Sequence, residues 1–330
     1  MPHILLTGAG FSRNWGGWLA DEAFEYLLGH PRIDGGIRTA LWRFKNKGGF
    51  EAALEDQRAQ ALRFPSAATI DPMQRLEDAI RGMFDAMNNG FFEMGALSFN
   101  FELFPNLPVK VFLTRFDAIF TLNQDVLVEQ RYLDSGFGEP PMYRKWAGWQ
   151  IPGMQHPPND DMRPHMSHWT PMEASEFSLK ENHQPYFKLH GSSNWFDTIN
   201  GQPMLVIGGN KPEAIGRHPI LKWNFDQFKA HLSKPDTRLM IIGYSFGDEH
   251  INQTLVEAAT ERGKRLRLFI IDPNGVDVLE RSPLSKVLPK NYPSNPLQLQ
   301  DWVVGASRRL LQQIFGGDSV EHGKVMRFFD

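Results

Sequence analysis

At 330 residues, 41% of them hydrophobic and 22% charged, the chain has the balance of a globular protein with one large domain or two small ones. A formal net charge of −3 with no long Lys/Arg run gives no sign of direct nucleic-acid or membrane-surface binding and leaves room only for a local basic patch. The absence of cysteine removes disulfides, thiolate metal sites and thiol catalysis, and no apolar stretch reaches the roughly 18 residues of a membrane span.

Met1-Pro2 runs straight into an apolar segment, so no signal peptide is expected and a cytoplasmic location is. His3–Thr7 reads as the first strand and ends in Gly8-Ala9-Gly10. A helix is expected over Gly17–Leu28, burying Trp18, Ala20, Phe24 and Leu27/Leu28, and broken by Pro31 and Gly35-Gly36. Helices follow at Phe50–Phe64 and Met73–Met87, the second opened by Asp71-Pro72. The Phe-rich stretch Gly90–Phe104 reads either as a continuation of this helical region or as plain hydrophobic packing.

Asp117–Leu122 is the second strand. It ends at Asn123-Gln124-Asp125, and Val126–Leu133 reads as a helix. Residues 136–184 are rich in Pro, Met, Trp and His without a period, which predicts a lid or assembly surface and not a sheet element. Strands are then expected at Tyr186–His190, at PMLVIGG (203–209), at RLMIIGYS (238–245) and at RLRLFIIDPN (265–274). Helices are expected at Ile220–Leu232 and Asp248–Arg262, and a closing helix at Asp301–Ile314.

Near-continuous apolar strands alternating with helices predict an α/β fold: a Rossmann-like parallel sheet with helices on both faces. The expected organisation is one domain over 1–330, with a helical module at about 30–110 and an irregular insertion at about 136–184. Ligands of such sheets sit beyond the carboxyl ends of the strands. Five strand ends carry polar or glycine clusters: Gly8-Ala9-Gly10, Asn123-Gln124-Asp125, His190-Gly191, Gly243-Tyr244-Ser245 and Asp272-Pro273-Asn274. The fold places all five on one rim.

Gly8-Ala9-Gly10-Phe11-Ser12, Thr121-Leu122-Asn123-Gln124-Asp125, Lys188-Leu189-His190-Gly191-Ser192, Gly243-Tyr244-Ser245-Phe246-Gly247-Asp248 and Ile271-Asp272-Pro273-Asn274 together resemble the sirtuin motif series in its order. The intervening sequence is more similar to the bacterial sirtuin-like proteins of phage-defence systems than to deacetylating sirtuins. The four-cysteine zinc module of the deacetylases has no ligands here, and Arg13-Asn14-Trp15-Gly16-Gly17 stands where they carry Ile-Pro-x-Phe-Arg. Both departures weaken a deacylase assignment and leave water as the simplest nucleophile.

The resemblance implies an NAD glycohydrolase that takes NAD as substrate and releases nicotinamide and ADP-ribose, acting as an NAD-depleting effector in antiviral defence, with no zinc. It further implies a homo-oligomer and a separate activating or sensor protein, for example an ATPase. Asn123 would position water and the nicotinamide ribose, and Asp125 the carboxamide, although both residues are equally suited to capping the next helix. His190 suits a general base at neutral pH. Gly8 and Gly10 would let the backbone approach the diphosphate, alongside Ala9, Phe11 and Ser12, although an ordinary strand-to-helix turn reads the same way. Gly243 and Ser245 would approach the cofactor, Asp248 would join them or cap its helix, and Asp272 and Asn274 would bind the adenosine ribose. His250 and Asn252 read as ordinary helix residues near the rim.

His156, His165, His168 and His183 lack metal-ligand spacing, so no metal site is expected. Two other readings stay open. One is a non-catalytic NAD-binding or scaffold subunit. The other is a serine hydrolase using Ser245 of G-x-S-x-G with Asp272 and His322.

Overall fold

The computed structural model describes residues 1–94, 98–101, 108–133, 145–156, 168–198, 201–261 and 265–330. Parts of the expected insertion (136–144 and 157–167, with His165), parts of the Phe-rich stretch (95–97 and 102–104) and Arg262 lie outside the described residues. The strands are β1 (His3–Thr7), β2 (Ala118–Thr121), β3 (Gly148–Gln150), β4 (Met154–Gln155), β5 (Thr170–Pro171), β6 (His183–Lys188), β7 (Gly191–Phe196), β8 (Pro203–Leu205), β9 (Arg238–Ile242), β10 (Arg267–Ile271) and β11 (Val303–Ser307). Seven form one parallel sheet in the order β11-β10-β9-β1-β2-β6-β3. The remaining four form two small antiparallel pairs, β4–β5 and β7–β8.

The apolar runs of the central strands have a simple cause. Successive side chains point to opposite faces, and each face here has its own core. Leu5, Ile119, Met240, Ile242, Phe269 and Ile271 join one core, which the N-terminal helices Ala20–Leu28, Gly35–Phe44, Gly49–Arg63 and Ala67–Glu93 complete. Ile4, Leu6, Phe120, Leu239, Ile241, Leu268 and Ile270 join the other, under the helices Pro219–Leu232 and Glu249–Thr260. The chain leaves β1 toward β2 on one side and later returns as β9 on the other. That reversal puts a topological switch point beside β1, where the two rim loops splay to leave a crevice.

Several boundaries differ from expectation. The first long helix starts at Ala20, which is exposed, and buries Ala23 in its place. The helix expected to open at Asp71-Pro72 starts at Ala67, after Ser66 in an extended conformation whose N–H is satisfied by the Thr69 side chain, donating to Oγ1 at 3.1 Å. Pro72 then lies inside the helix and removes one amide donor. Within the segment expected to avoid the sheet, Gly148–Gln150 is the edge strand β3, paired with His183–Pro185 of β6. Part of the expected closing helix is β11: consecutive β-branched Val303-Val304 favour a strand, and Gly305 lies so close to the Phe269 ring that a Cβ would sit 2.6 Å from it. Two short helices, Leu311–Phe315 and Ser319–Met326, follow. No helix among the described residues is long and apolar enough to cross a membrane.

Candidate active site

Residues from all five rim clusters line one cleft of about 580 Å³ at the switch point: Gly8, Ala9, Gly10, Asn123, Gln124, Asp125, His190, Gly243, Tyr244, Ser245, Asp272, Pro273 and Asn274. This volume lies within the range of small-molecule pockets.

The glycine loop is built differently from a phosphate cradle. Gly8 N–H donates to Ile242 O at 3.0 Å, Gly10 N–H to Gly243 O at 2.9 Å and Phe11 N–H to Gly8 O at 2.8 Å, so these three amides are already used by the protein. The glycines serve the close approach of the β1 and β9 loops: a Cβ on Gly8 would sit 2.6 Å from Gly243 O, and one on Gly10 2.7 Å from Gly243 Cα. Ala9 is exposed on the cleft wall. Phe11, expected at the cofactor, is 0% exposed and belongs to the core, because the one-turn helix Ala9–Ser12 turns its Phe11-Ser12 side inward.

Ser12 is also buried and lies beneath the catalytic candidates. Asn123 Nδ2 donates to Ser12 Oγ at 3.0 Å, and Ser12 Oγ donates to Asp125 Oδ2 at 2.9 Å. The Asn123 backbone N–H donates to Thr121 Oγ1 at 3.0 Å. Asp125 also accepts from Leu127 N–H at 3.1 Å, so it caps the following helix while its other oxygen faces Ser12. Burial pushes the Asp125 carboxyl above the usual carboxylate range, against the opposing charge of Lys188. Lys188 and Glu129 form a fully buried ion pair at 2.6 Å, and Lys188 Nζ also donates to the Asp125 carbonyl oxygen, which fixes the loop from below.

His190 follows β6 and is 3% exposed. Its carbonyl accepts from Val206 N–H at 3.0 Å, which ties it to the β7–β8 hairpin. Gly191 has φ +74°, and a Cβ there would fall 1.8 Å from Met204 O, so the residue after His190 must be glycine. Burial, with smaller contributions from Lys211 and His250, pulls the His190 pKa down to about 3. His190 is therefore neutral at pH 7.

Of its neighbours, only Asp248 was expected at the site; His250, Lys211 and Glu51 were not. His250 Nε2 lies 3.1 Å from His190 Nε2. Asp248 does not cap its helix with its side chain; it accepts from Lys211 Nζ at 2.7 Å, and Lys211 also reaches Glu51 at 3.2 Å. Burial alone would raise Asp248, but His190 and Lys211 hold it at about 2. Asp248 and Glu51 keep Lys211 an ammonium in spite of its burial. Arg13, Arg281 and Arg309 line the cleft as well; Arg13 is ion-paired with Glu22 and Arg309 with Asp318 at 3.5 Å, and Arg281 donates to Asn274. A single Arg after a glycine loop was the one hint the sequence held. Asn252, fully buried, ties the rim loop down: it bonds Tyr244 Oη at 2.9 Å and Phe246 O at 2.8 Å.

The ligand atoms of His190, Asp248 and His250 lie within 4.8 Å of one another. The Lys211 ammonium already fills the place of a cation against Asp248, so we do not read these three as metal ligands.

Ser245 is exposed in the cleft. Positive φ in this turn falls at Gly243 (+64°) and Phe246 (+55°) and not at Ser245, whereas a nucleophile elbow strains the serine itself. His322 does not line the cleft and packs on the Phe315 ring at 5.6 Å. Two strands, β10 and β11, follow Ser245, one more than expected. Asp272 Oδ1 accepts from Asn274 N–H at 2.8 Å and from Asn274 Nδ2 at 3.0 Å, and Arg281 donates to Asn274 Oδ1 at 2.7 Å. Burial raises the Asp272 carboxyl.

The rim, the switch-point cleft and the buried His/Asn/Asp set define a nucleotide-type α/β site. A family model described as SIR2-like domain matches residues 117–290, just over half of the chain, and the protein belongs to that family. The matched span holds four of the five rim clusters; the glycine loop lies before it. Family membership implies an NAD site and is compatible with NAD-dependent chemistry. No curated protein matches the chain.

Proposed function

We propose that the cleft binds NAD and hydrolyses its nicotinamide–ribose bond. The observation that carries this reading is the convergence of Asn123, Asp125 and His190 on one cleft with the β1, β9 and β10 loop ends. The bond from C1′ of the ribose to the pyridinium nitrogen breaks, and nicotinamide leaves with the electron pair. The ribose carbon becomes oxocarbenium-like, and the fixed dipoles of Asn123 and Asp125 stabilise it. Water adds to C1′, and its proton passes to neutral His190. Asp125, held in place by Ser12 and the Leu127 amide, faces the carboxamide and accepts from its N–H. Ala9, Arg13, Arg281 and Arg309 flank the diphosphate, and Asp272 with Asn274 takes the adenosine ribose. Ser12 contributes from beneath by its hydrogen bonds to Asn123 and Asp125, and Phe11 by packing.

Water is taken as the acceptor, the simplest nucleophile for this cleft. In the cell we place the activity in the cytoplasm, as an NAD-depleting antiviral effector that works as a homo-oligomer and is released by a separate sensor protein. Incubating the protein with NAD and separating the products by chromatography tests the reading. Equal amounts of nicotinamide and ADP-ribose are expected, and NAD returned intact contradicts it. One observation favours a second reading, an NAD-binding subunit without turnover: a His190 pulled to about 3 is a weak base in the free protein. Bound NAD that survives incubation supports that alternative.

A further inference from the structure

His190 has two ring nitrogens, and the structure uses one of them. Its Nε2 faces His250 Nε2 at 3.1 Å, with ring centroids 5.2 Å apart. Two nitrogens at this distance share one hydrogen, so one imidazole donates and the other accepts. If His250 donated, His190 would accept at Nε2 and carry its own hydrogen on Nδ1, which leaves no lone pair for a substrate proton. If His190 donates, its Nδ1 is free to act as the base. Only the second arrangement is compatible with catalysis by His190.

We propose that His250 is the positioning residue for His190: it accepts the His190 Nε2–H bond, carries its own hydrogen on Nδ1, and takes the proton onward when His190 Nδ1 is protonated. The catalytic half of this inference rests on the NAD-cleavage reading; the tautomer assignment does not. The proton path balances. Water loses a proton to His190 Nδ1 as its oxygen bonds to C1′, the hydrogen on His190 Nε2 shifts to His250 Nε2, and the positive charge ends on His250. Asp248 is the acidic group near both rings, and its charge favours the protonated form of each. The other groups facing the pair are the Lys211 ammonium, neutralised by Asp248 and Glu51, and the Phe225 ring, 5.7 Å from His250. Both imidazoles are neutral at pH 7, mainly through burial, with His250 at about 4, so the tautomer question is well posed there.

The test uses full-length protein labelled with ¹⁵N-histidine, together with NAD turnover. Long-range ¹H–¹⁵N spectra at pH 7 should show His190 as the Nε2–H tautomer and His250 as the Nδ1–H tautomer. Replacement of His250 by Leu removes the acceptor, and His250→Gln keeps one in its Oε1. We expect His250→Leu to lose the fixed His190 tautomer and to lower kcat roughly 10²-fold with KM nearly unchanged. His250→Gln should restore the tautomer and most of kcat. A purely structural role would move the thermal midpoint of both variants without separating kcat from KM or Gln from Leu. A wild-type spectrum with His190 carrying its hydrogen on Nδ1 overturns the proposal, and so does a His250→Leu protein with an unchanged His190 tautomer. Wild-type protein that shows the expected tautomers but cleaves no NAD would overturn the proton path and the NAD-cleavage reading, while the pairing itself stands.

Discussion

Ser12 shows how a residue can matter to a site it does not line. Its hydroxyl joins Asn123 Nδ2 to Asp125 Oδ2 in a buried chain. Ser12→Ala leaves both partners unmatched in a low-dielectric setting, at about 1–3 kcal/mol of stability in a denaturant melt. It should also slow NAD cleavage roughly 10- to 100-fold in the folded fraction, because the two side chains lose their common anchor. Full turnover in folded Ser12→Ala would show that the chain is only structural. His190 and His250 make a second prediction. Both pKa values are depressed in the folded protein, to about 3 and about 4, against an unfolded value near 6.5. Below about pH 6.5 the unfolded chain therefore binds protons that the native protein does not, so stability is full above that value and falls as pH drops toward 4. Each histidine contributes up to roughly 1.4 kcal/mol per pH unit in that window. Unfolding free energies at stepped pH should show a flatter slope for the His190→Asn/His250→Gln double variant; an unchanged slope would contradict the burial account. Asn123, Asp125 and His190 were legible in the sequence because each ends an apolar strand, and strand ends share a rim. The burial of Phe11 and Ser12 was not, because a one-turn helix has too short a period to reveal its inner face. His250 was hidden for another reason: its partner lies 60 residues away, and a histidine near a helix start looks solvated.

At the scale of elements, the loops after β1 and β9 behave as one unit. The glycines of the first are needed by the backbone of the second, where Gly243 itself has φ +64°. Gly10→Val is therefore a packing variant and a poor probe of NAD contact: it should destabilise the protein by about 1–3 kcal/mol or more through overpacking. Ala9→Asp is the informative substitution. It lies exposed on the cleft wall, so stability should stay within about 0.5 kcal/mol, while a carboxylate facing the diphosphate should weaken NAD binding on the order of tenfold. Titration calorimetry on both proteins checks the pair; an unaltered affinity in Ala9→Asp would move the diphosphate elsewhere. The strands were readable from consecutive apolar residues. The edges were less so: β3 is three residues long, and β11 is half exposed, so neither carries the buried run that marks a central strand. Pro72 misled because it marks no helix start here: it is the sixth residue of a helix that begins at Ala67 and runs on to Glu93, so the length and packing of that helix absorb the lost amide donor.

Across the whole molecule, the sheet separates two cores and its switch point opens the cleft, while Lys211 links the N-terminal helices to the rim through Glu51 and Asp248. The family match begins at residue 117, yet β1 sits in the middle of the sheet and its loop completes the site. The segment before the matched span is therefore part of the same architecture. The central claim is that this cleft cleaves NAD with His190 as base, and single-turnover release of nicotinamide from wild-type and His190→Ala protein, with NAD affinity and thermal melts on the same samples, tests it most directly. A roughly 10²- to 10⁴-fold loss of rate is expected in His190→Ala, with NAD still bound and the fold intact. A folded His190→Ala protein that releases nicotinamide at the wild-type rate would contradict it.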